Sequence, residues 1–273
     1  VYNEKTGKGL FRHIVIKVGV KTKEIMCVLV INGENIPKEK ELVECIIDGL
    51  KQSEFKLKTV VKNINTKNTN VILGNKNITI YGDGYIYDKL GDYTFKISAM
   101  SFYQTNPVQT EVLYKKAIEG ANLKAEDILL DLYCGIGTIG IYASKFVKRV
   151  CGIEIVEQAI EDAKENAKIN NIENIEFTCG DVEKVLENLL HEKHITPNAV
   201  FVDPPRRGLD DTTINNILNL KPEKLVYISC NPATMVRDLS KLEEKYNIKE
   251  IQTVDMFPFT SHVECVSVLY LKN

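Results

Sequence analysis

The chain has no tryptophan, and among its 273 residues there are only four histidines and four methionines. Its seven cysteines, Cys27, Cys45, Cys134, Cys151, Cys179, Cys230 and Cys265, never fall into a C-x-x-C pair. Zinc ribbons and most iron-sulfur sites use that spacing, so neither a metal nor an iron-sulfur cluster is expected in this chain. Reduced thiols are expected instead, each a small buried hydrophobe by default except Cys230. The only histidine pair, His191-Glu192-Lys193-His194, lacks the i and i+4 geometry of a zinc-protease helix and reads as a solvated helix end. No apolar run approaches the roughly 20 residues that a membrane helix needs, and no segment of signal-peptide type opens the chain. A cytoplasmic protein with no membrane partner is the expectation. Residue 1 is Val1 rather than methionine, so N-terminal modules of a longer protein stay in view.

What is present is an ordinary globular composition, 44% hydrophobic and 26% charged, enough for one large domain or two smaller ones. The net charge of -2 is unevenly spread. Residues 1 to 100 carry 16 Lys and Arg against 11 Asp and Glu, whereas the remaining 173 carry 19 against 26. A basic first segment suits a polyanion, although solvated lysines on any surface give an excess of this size.

Two regions follow from the pattern. Phe11 to Val18, Glu24 to Ile31, Val60 to Ile64, Asn77 to Tyr81 and Tyr93 to Ser98 are short segments rich in β-branched residues or alternating in polarity. Gly19, Asn32-Gly33 and Gly82-Asp83-Gly84 mark turns between them, and one helix is expected from Lys38 to Ser53. Residues 1–98 therefore read as a smaller, mainly β domain. At Asn106-Pro107 an N-cap followed by a first-turn proline opens a helix to about Gly120. From there strands at 128–131, 149–153, 174–178, 199–202 and 224–228 alternate with helices at 138–146, 156–170, 182–190, 211–218 and 232–244. Such alternation predicts a doubly wound α/β sheet over residues 99–273. Lys249 to Met256 and Val263 to Leu271 have no helix between them and read as a terminal antiparallel pair at the sheet edge.

Open parallel sheets bind ligands beyond the carboxyl ends of their strands, so residues at those ends converge. Ile128 to Gly140 is a strand, a glycine turn and a helix, with G-x-G-x-x-G at Gly135, Gly137 and Gly140. Those glycines let a ligand approach the backbone. Asp131, four residues before the first glycine, is unwelcome beside a pyrophosphate but suits the cationic amino-acid end of S-adenosylmethionine. Glu154 ends the next strand, where an acidic residue meets ribose hydroxyls in nucleotide-binding folds, and Asp181 ends a third, placed for the adenine. A helix-capping or turn carboxylate is the plain alternative for each.

Asp203-Pro204-Pro205-Arg206 follows the apolar run Asn198 to Val202, and Ser229-Cys230-Asn231-Pro232 follows Leu225 to Ile228. Asp203-Pro204-Pro205-Arg206 resembles a methyltransferase motif, and by that resemblance an enzyme acting on amino groups would place an aromatic after D-P-P, so Arg206 disfavours that target. C5 of a uracil is a poor nucleophile until a thiolate adds to C6, and Cys230 is the cysteine whose context suits the addition. After methylation a base must take the C5 proton. Glu264, where the chain re-enters a strand after Phe257-Pro258-Phe259, is placed for that role, its pKa raised by an apolar setting, or else for an ion pair with Arg206 or Arg237.

The glycine-turn series resembles class I S-adenosylmethionine-dependent methyltransferases, whose seven-stranded sheet carries its last strand antiparallel. Phe102-x-Gln104-x-Asn106-Pro107, Asp131-Leu132-Tyr133-Cys134-Gly135, Asp203-Pro204-Pro205-Arg206, Ser229-Cys230-Asn231-Pro232 and His262-Val263-Glu264 together resemble the RNA (uracil-5-)-methyltransferase family, which acts on 23S ribosomal RNA or transfer RNA. The likeness is specific over residues 99 to 273. It is looser over 1 to 98, through Leu10-Phe11-Arg12-His13, where the family has a central RNA-binding domain. By this resemblance Cys230 is the nucleophile and Glu264 the base, and Gln104, Tyr133, Glu154, Asp181 and Asp203 hold S-adenosylmethionine. Phe102 stands for stacking on a base or for core packing, and Arg206 and Arg207 for phosphate contacts or surface charge. The implied activity is methyl transfer to C5 of a uridine in structured RNA, 23S ribosomal ahead of transfer RNA, through a covalent adduct. An RNA cytosine-C5 methyltransferase and a noncatalytic RNA-binding or ribosome-assembly factor are the alternatives. The family's small β-barrel module and four-cysteine iron-sulfur segment have no counterpart in this sequence.

Overall fold

A computed structural model describes residues 1–192 and 196–273, with the backbone alone for 189–192. The run His191-Glu192-Lys193-His194 thus lies outside the residues described with side chains. The chain forms two compact units, Val1–Ser101 and Phe102–Asn273.

In the first unit, β1 (Phe11–Gly19), β2 (Glu24–Ile31), α1 (Glu39–Gly49), β3 (Lys56–Ile64) and β4 (Lys76–Tyr81) build a four-stranded sheet in that strand order. The β2 and β3 strands are parallel, joined through α1, while β1 and β4 run antiparallel to their neighbours. Cys27, Leu29, Ile31 and Val60 bury one face with Ile36 and Val43. A hairpin of β5 (Tyr85–Leu90) and β6 (Tyr93–Ser98) adds Ile86, Leu90, Phe95 and Ile97 to the buried set. The β5 strand is absent from the sequence reading because its inward positions are Ile86, Asp88 and Leu90. Asp88 is fully buried and accepts from the Lys21 backbone N–H at 2.9 Å, so a charged residue stands where alternation demands an apolar one.

The second unit begins with α2 (Pro107–Ala121), its cap closed by Asn106 Oδ1 accepting from Gln109 N–H at 3.2 Å. Strands β7 (Ile128–Leu132), β8 (Arg149–Glu154), β9 (Ile175–Cys179), β10 (Ala199–Val202) and β11 (Lys224–Ser229) alternate with α3 (Thr138–Ala143, extended by a 3-10 turn), α4 (Glu157–Ile169), α5 (Val182–Glu192), α6 (Asp211–Leu220) and α7 (Pro232–Leu242). With β12 (Tyr246–Val254) and β13 (Glu264–Leu271) the sheet order is β12-β13-β11-β10-β7-β8-β9. The last two strands pair antiparallel, as expected, but β13 sits inside β12. Their composition explains the placement: β13 is buried along Glu264 to Tyr270's neighbour Leu269, whereas β12 exposes Asn247, Lys249's neighbour Glu250 and Ile251 and fits an edge. Leu132, Val202, Leu225 and Tyr227 bury one face under Leu186, Ile214, Ile217 and Leu239 of α5 to α7. Burying each such side chain contributes about 1.5–3 kcal/mol, and the rigid sheet that results fixes where its strand ends point.

All seven cysteines are free. The buried default holds for Cys27, Cys134 and Cys265 and fails for Cys45 and Cys179, which are exposed. No described helix is long and apolar enough to cross a membrane. Among the described residues no cluster of His, Cys, Asp or Glu is arranged to hold a metal ion.

Candidate active site

The strand order reverses between β7 and β10: β8 and β9 continue to one side, β11 and β13 to the other. A crevice opens at such a switch point, beyond the carboxyl ends. Ladder register sets out what meets there. Leu132 lies opposite both Val202 and Ile153, so the next step along β7 brings Tyr133 level with Asp203 on one side and Glu154 on the other. Ser229 lies opposite Cys265, so one further step brings Cys230 level with Glu264.

These ends line one cavity of about 680 Å³, within the size range of small-molecule sites. Its walls include Gln104, Tyr133, Glu154, Asp181, Asp203, Cys230 and Glu264, the seven residues singled out from the sequence, together with Phe102, Arg206 and Arg207. Asp131 is not among them. It is buried beneath the turn, its Oδ2 without a hydrogen-bond partner, and a Cβ on Gly140 would approach that oxygen to 2.9 Å. Burial and the charge of Asp203 push its pKa well up. Asp131 therefore packs under the helix rather than on the cavity wall, where a cationic ligand was expected to meet it.

The glycine turn is held from the side. Glu154 Oε2 accepts from Gly135 N–H at 3.2 Å and Oε1 from Val156 N–H at 3.0 Å, which leaves further lone pairs for a ligand. Gly135 has φ of 54°, and a Cβ there would meet nothing within 4 Å, so the turn presents bare backbone to open space. Tyr133 also adopts the left-handed region, with φ of 63°, and burial pushes its phenol up to about 12. Asp181 Oδ1 accepts from Glu183 N–H at 3.0 Å, so the turn-carboxylate reading holds for an oxygen of a residue that also faces the cavity.

Cys230 sits on a tight turn. Ser229 Oγ accepts from Asn231 N–H at 3.0 Å, and Asn231 Oδ1 accepts from Ala233 N–H at 3.2 Å to start α7. Asn231 Nδ2 and Thr234 Oγ1 both donate to the Arg206 carbonyl, at 3.0 and 3.2 Å, which ties the cysteine turn to the Asp203–Asp210 loop. Burial raises the thiol pKa, the charges of Glu264 and Asp203 add to this, and the Arg206 guanidinium works against it. Glu264 is 4% exposed with Oε2 unpartnered. Burial first, then the charge of Asp203, pushes its carboxyl up to about 8, again opposed by Arg206. Asp203 is pushed up to about 7 by burial. Arg237 does not pair with Glu264; it binds Asp238, Nε to Oδ1 at 2.8 Å.

Phe102 is 69% exposed and so is not core packing. Several wall residues carry no signal in the sequence, Glu183 and Asp210 among them. Glu183 and Asp210 share the wall; the Asp210 carboxyl raises the pKa of Glu183, while the Thr213 N–H and hydroxyl, donating to Asp210, outweigh its burial and lower its own, and only tertiary packing brings the α5 and α6 starts together. Phe257 lies in the Phe-Pro-Phe segment, whose placement beside a strand end was the available signal.

A seven-stranded sheet with β13 reversed inside its edge, and a carboxylate-rich cavity over a glycine turn, define the class I methyltransferase fold. The family model described as tRNA (Uracil-5-)-methyltransferase matches residues 19–272, and the chain belongs to that family. An uncharacterized RNA methyltransferase of Halalkalibacterium halodurans is 47% identical over 273 residues, covering 100% of this chain and 58% of that protein. One from Caldanaerobacter subterraneus is 48% identical over 270 residues, covering 98% of this chain and 59% of that protein. The crystal structure of Pyrococcus abyssi tRNA (uracil-54, C5)-methyltransferase in complex with S-adenosyl-L-homocysteine superposes with a TM-score of 0.77 at 33% identity, over 98% of this chain and 62% of that one. The chain thus spans a little under three fifths of the length of these curated relatives.

Proposed function

We propose that the protein transfers a methyl group from S-adenosylmethionine to C5 of a uridine in folded RNA, with Cys230 as nucleophile and Glu264 as general base. The observation that carries the reading is the ladder register that sets Cys230 level with Glu264 on the wall of one cavity with Asp203, Glu154 and Tyr133. Family membership supports the reaction class.

The cavity suits the methyl donor. Bare backbone at Gly135, a half-engaged Glu154 and the carboxylates Asp181 and Asp203 match a ligand with ribose hydroxyls, an amine and net positive charge. Gln104 and Tyr133 complete the set that would hold it. When bound, S-adenosylmethionine supplies an electrophilic methyl group.

Addition of the Cys230 thiolate to C6 makes C5 nucleophilic. Burial and two carboxylates oppose ionisation of the thiol, so its proton must pass to water or a neighbouring carboxylate as the thiolate forms. Arg206 favours the thiolate, and a cationic ligand among the carboxylates adds to that. Once C5 carries its methyl, Glu264 takes the C5 proton and the electron pair expels Cys230, restoring the uracil ring. With its carboxyl at about 8, Glu264 must first release its own proton, which the positive charge of a bound methyl donor favours, and as a carboxylate it is then a strong acceptor for the C5 proton. The target must be turned out of its stack, which costs a few kcal/mol and least in an unpaired loop.

The test uses radiolabelled S-adenosylmethionine with unmodified 23S ribosomal and transfer RNA transcripts, followed by nucleoside analysis. Label in 5-methyluridine, lost in Cys230→Ala, is the expected result, and the two transcripts separate the two substrate classes. Label in 5-methylcytidine, or none with either RNA, contradicts the proposal.

A further inference from the structure

Between β12 and β13 the chain makes a braced turn whose flanking residues Phe257 and Glu264 line the cavity. Thr260 donates to the Phe257 carbonyl through both its N–H (3.2 Å) and its hydroxyl (2.7 Å), and Thr260 Oγ1 accepts from His262 N–H at 3.1 Å. The Phe257 ring meets His262 edge-on, with centroids 6.2 Å apart. On the preceding side, Asn106 Nδ2 donates to the Met256 carbonyl at 3.4 Å. The tip of this turn is Phe259. It is wholly exposed, at 107%, and its backbone stands in the left-handed region with φ of 65°.

Neither property is explained by folding. A glycine would take that φ without a Cβ penalty and an asparagine at a smaller one, and a phenyl ring in water contributes no burial. Retained strain beside a cavity is a common mark of function. The location decides which function. Phe257, two residues earlier, lines the cavity, and Glu264, five residues later, is on its wall. Phe102 supplies a second exposed ring on the same wall. From Met256 to Val263 the chain carries no carboxylate, and Arg206 and Arg207, exposed along the cavity, supply positive charge beside its carboxylates. A strand that sends one base down to Cys230 must carry its neighbours across the mouth of the cavity, their faces unstacked by the loss of the flipped base.

We propose that Phe259 is a nucleobase-stacking residue that holds an unpaired base adjacent to the target uridine at the cavity mouth. The inference rests on the RNA reading above. An aromatic face accepts any base, so Phe259 contributes affinity and placement rather than sequence choice.

Phe259→Leu and Phe259→Trp both keep the Cβ at the left-handed position, so they compare side chains at matched backbone strain. On whichever transcript the wild type methylates, Leu is expected to raise KM for RNA about tenfold or more with kcat nearly unchanged, and Trp to stay within about threefold of wild type. Binding of S-adenosylhomocysteine, measured by calorimetry, is expected to be the same in all three, which shows an intact cavity. A Leu variant with wild-type KM, or a Trp variant as impaired as Leu, overturns the stacking role while methyl transfer stands. Failure of the wild type to methylate either RNA removes the underlying reading and this inference with it.

Discussion

At the amino ends of the seven-stranded sheet, Asp127 and Lys224 are buried together, 2% and 3% exposed. Lys224 Nζ donates to Asp127 Oδ2 and to the Asn122 carbonyl, and Asp127 Oδ2 also accepts from Lys124 N–H. At the carboxyl ends Asp203 and Glu264 are held near one another, and Glu264 Oε2 has no partner. The similar burial of Asp127 and Glu264 is therefore treated in two ways. A buried charge that serves the fold is paired, because leaving it alone costs several kcal/mol. A buried carboxyl that is left unpaired responds by holding its proton, which is useful where a proton must later move.

The sharpest way to break this contrast is to remove the reactive group from the carboxyl end. Cys230→Ala is expected to lower methyl transfer by at least roughly a thousandfold while leaving the melting temperature close to wild type, since a half-buried thiol on a turn carries little packing. Glu264→Gln comes next. Loss of a positioned base costs about 10²–10⁴-fold, and because the C5 proton stays in place, the methylated RNA should remain attached to Cys230, visible as a protein band retarded on a denaturing gel. A Gln variant that turns over freely with no retained RNA would show that another group takes the proton.

At the amino end the expectation inverts. Asp127→Ala leaves the Lys224 ammonium buried without its carboxylate and should destabilise by about 3–5 kcal/mol in chemical denaturation, with kcat per folded molecule unchanged. Stability within 1 kcal/mol of wild type, on the order of error in such fits, would mean that the pair is not a structural requirement.

The least direct readout is the pH dependence. Unfolded, Asp and Glu release protons near pH 4, about where model peptides titrate; folded, Asp203 and Glu264 do so at about 7 and about 8. The folded form binds more protons between these limits. Their contribution to stability is complete below pH 4 and is lost as pH rises through 7 and 8. Glu264→Gln should flatten part of that fall. A slope equal to wild type would place the carboxyl in an ordinary environment.

Much of the carboxyl end was legible in the sequence because each residue follows an apolar run and precedes a turn: Glu154, Asp203 and Cys230 announce themselves as strand ends, and alternating elements place strand ends on one side. What stayed hidden depends on three-dimensional packing. Asp131 reads as a ligand-facing charge, yet its register turns it under Gly140. Asp88 conceals β5 by occupying an inward position. The partnership of Glu183 with Asp210, and the insertion of β13 between β12 and β11, join elements that no local spacing connects. Pairing at the amino end was equally invisible, since Asp127 and Lys224 are far apart in sequence and neither sits in a motif.

The central claim is that Cys230 and Glu264 address one pyrimidine beside the methyl donor. Incubating the chain with S-adenosylmethionine and RNA transcribed with 5-fluorouridine tests it, because fluorine at C5 cannot leave as a proton and the adduct is held. Digestion and mass spectrometry are expected to find a methylated fluoropyrimidine nucleotide on the peptide carrying Cys230. Its attachment to any other cysteine, or methylation of unsubstituted RNA with no adduct on the fluorinated substrate, would contradict the account.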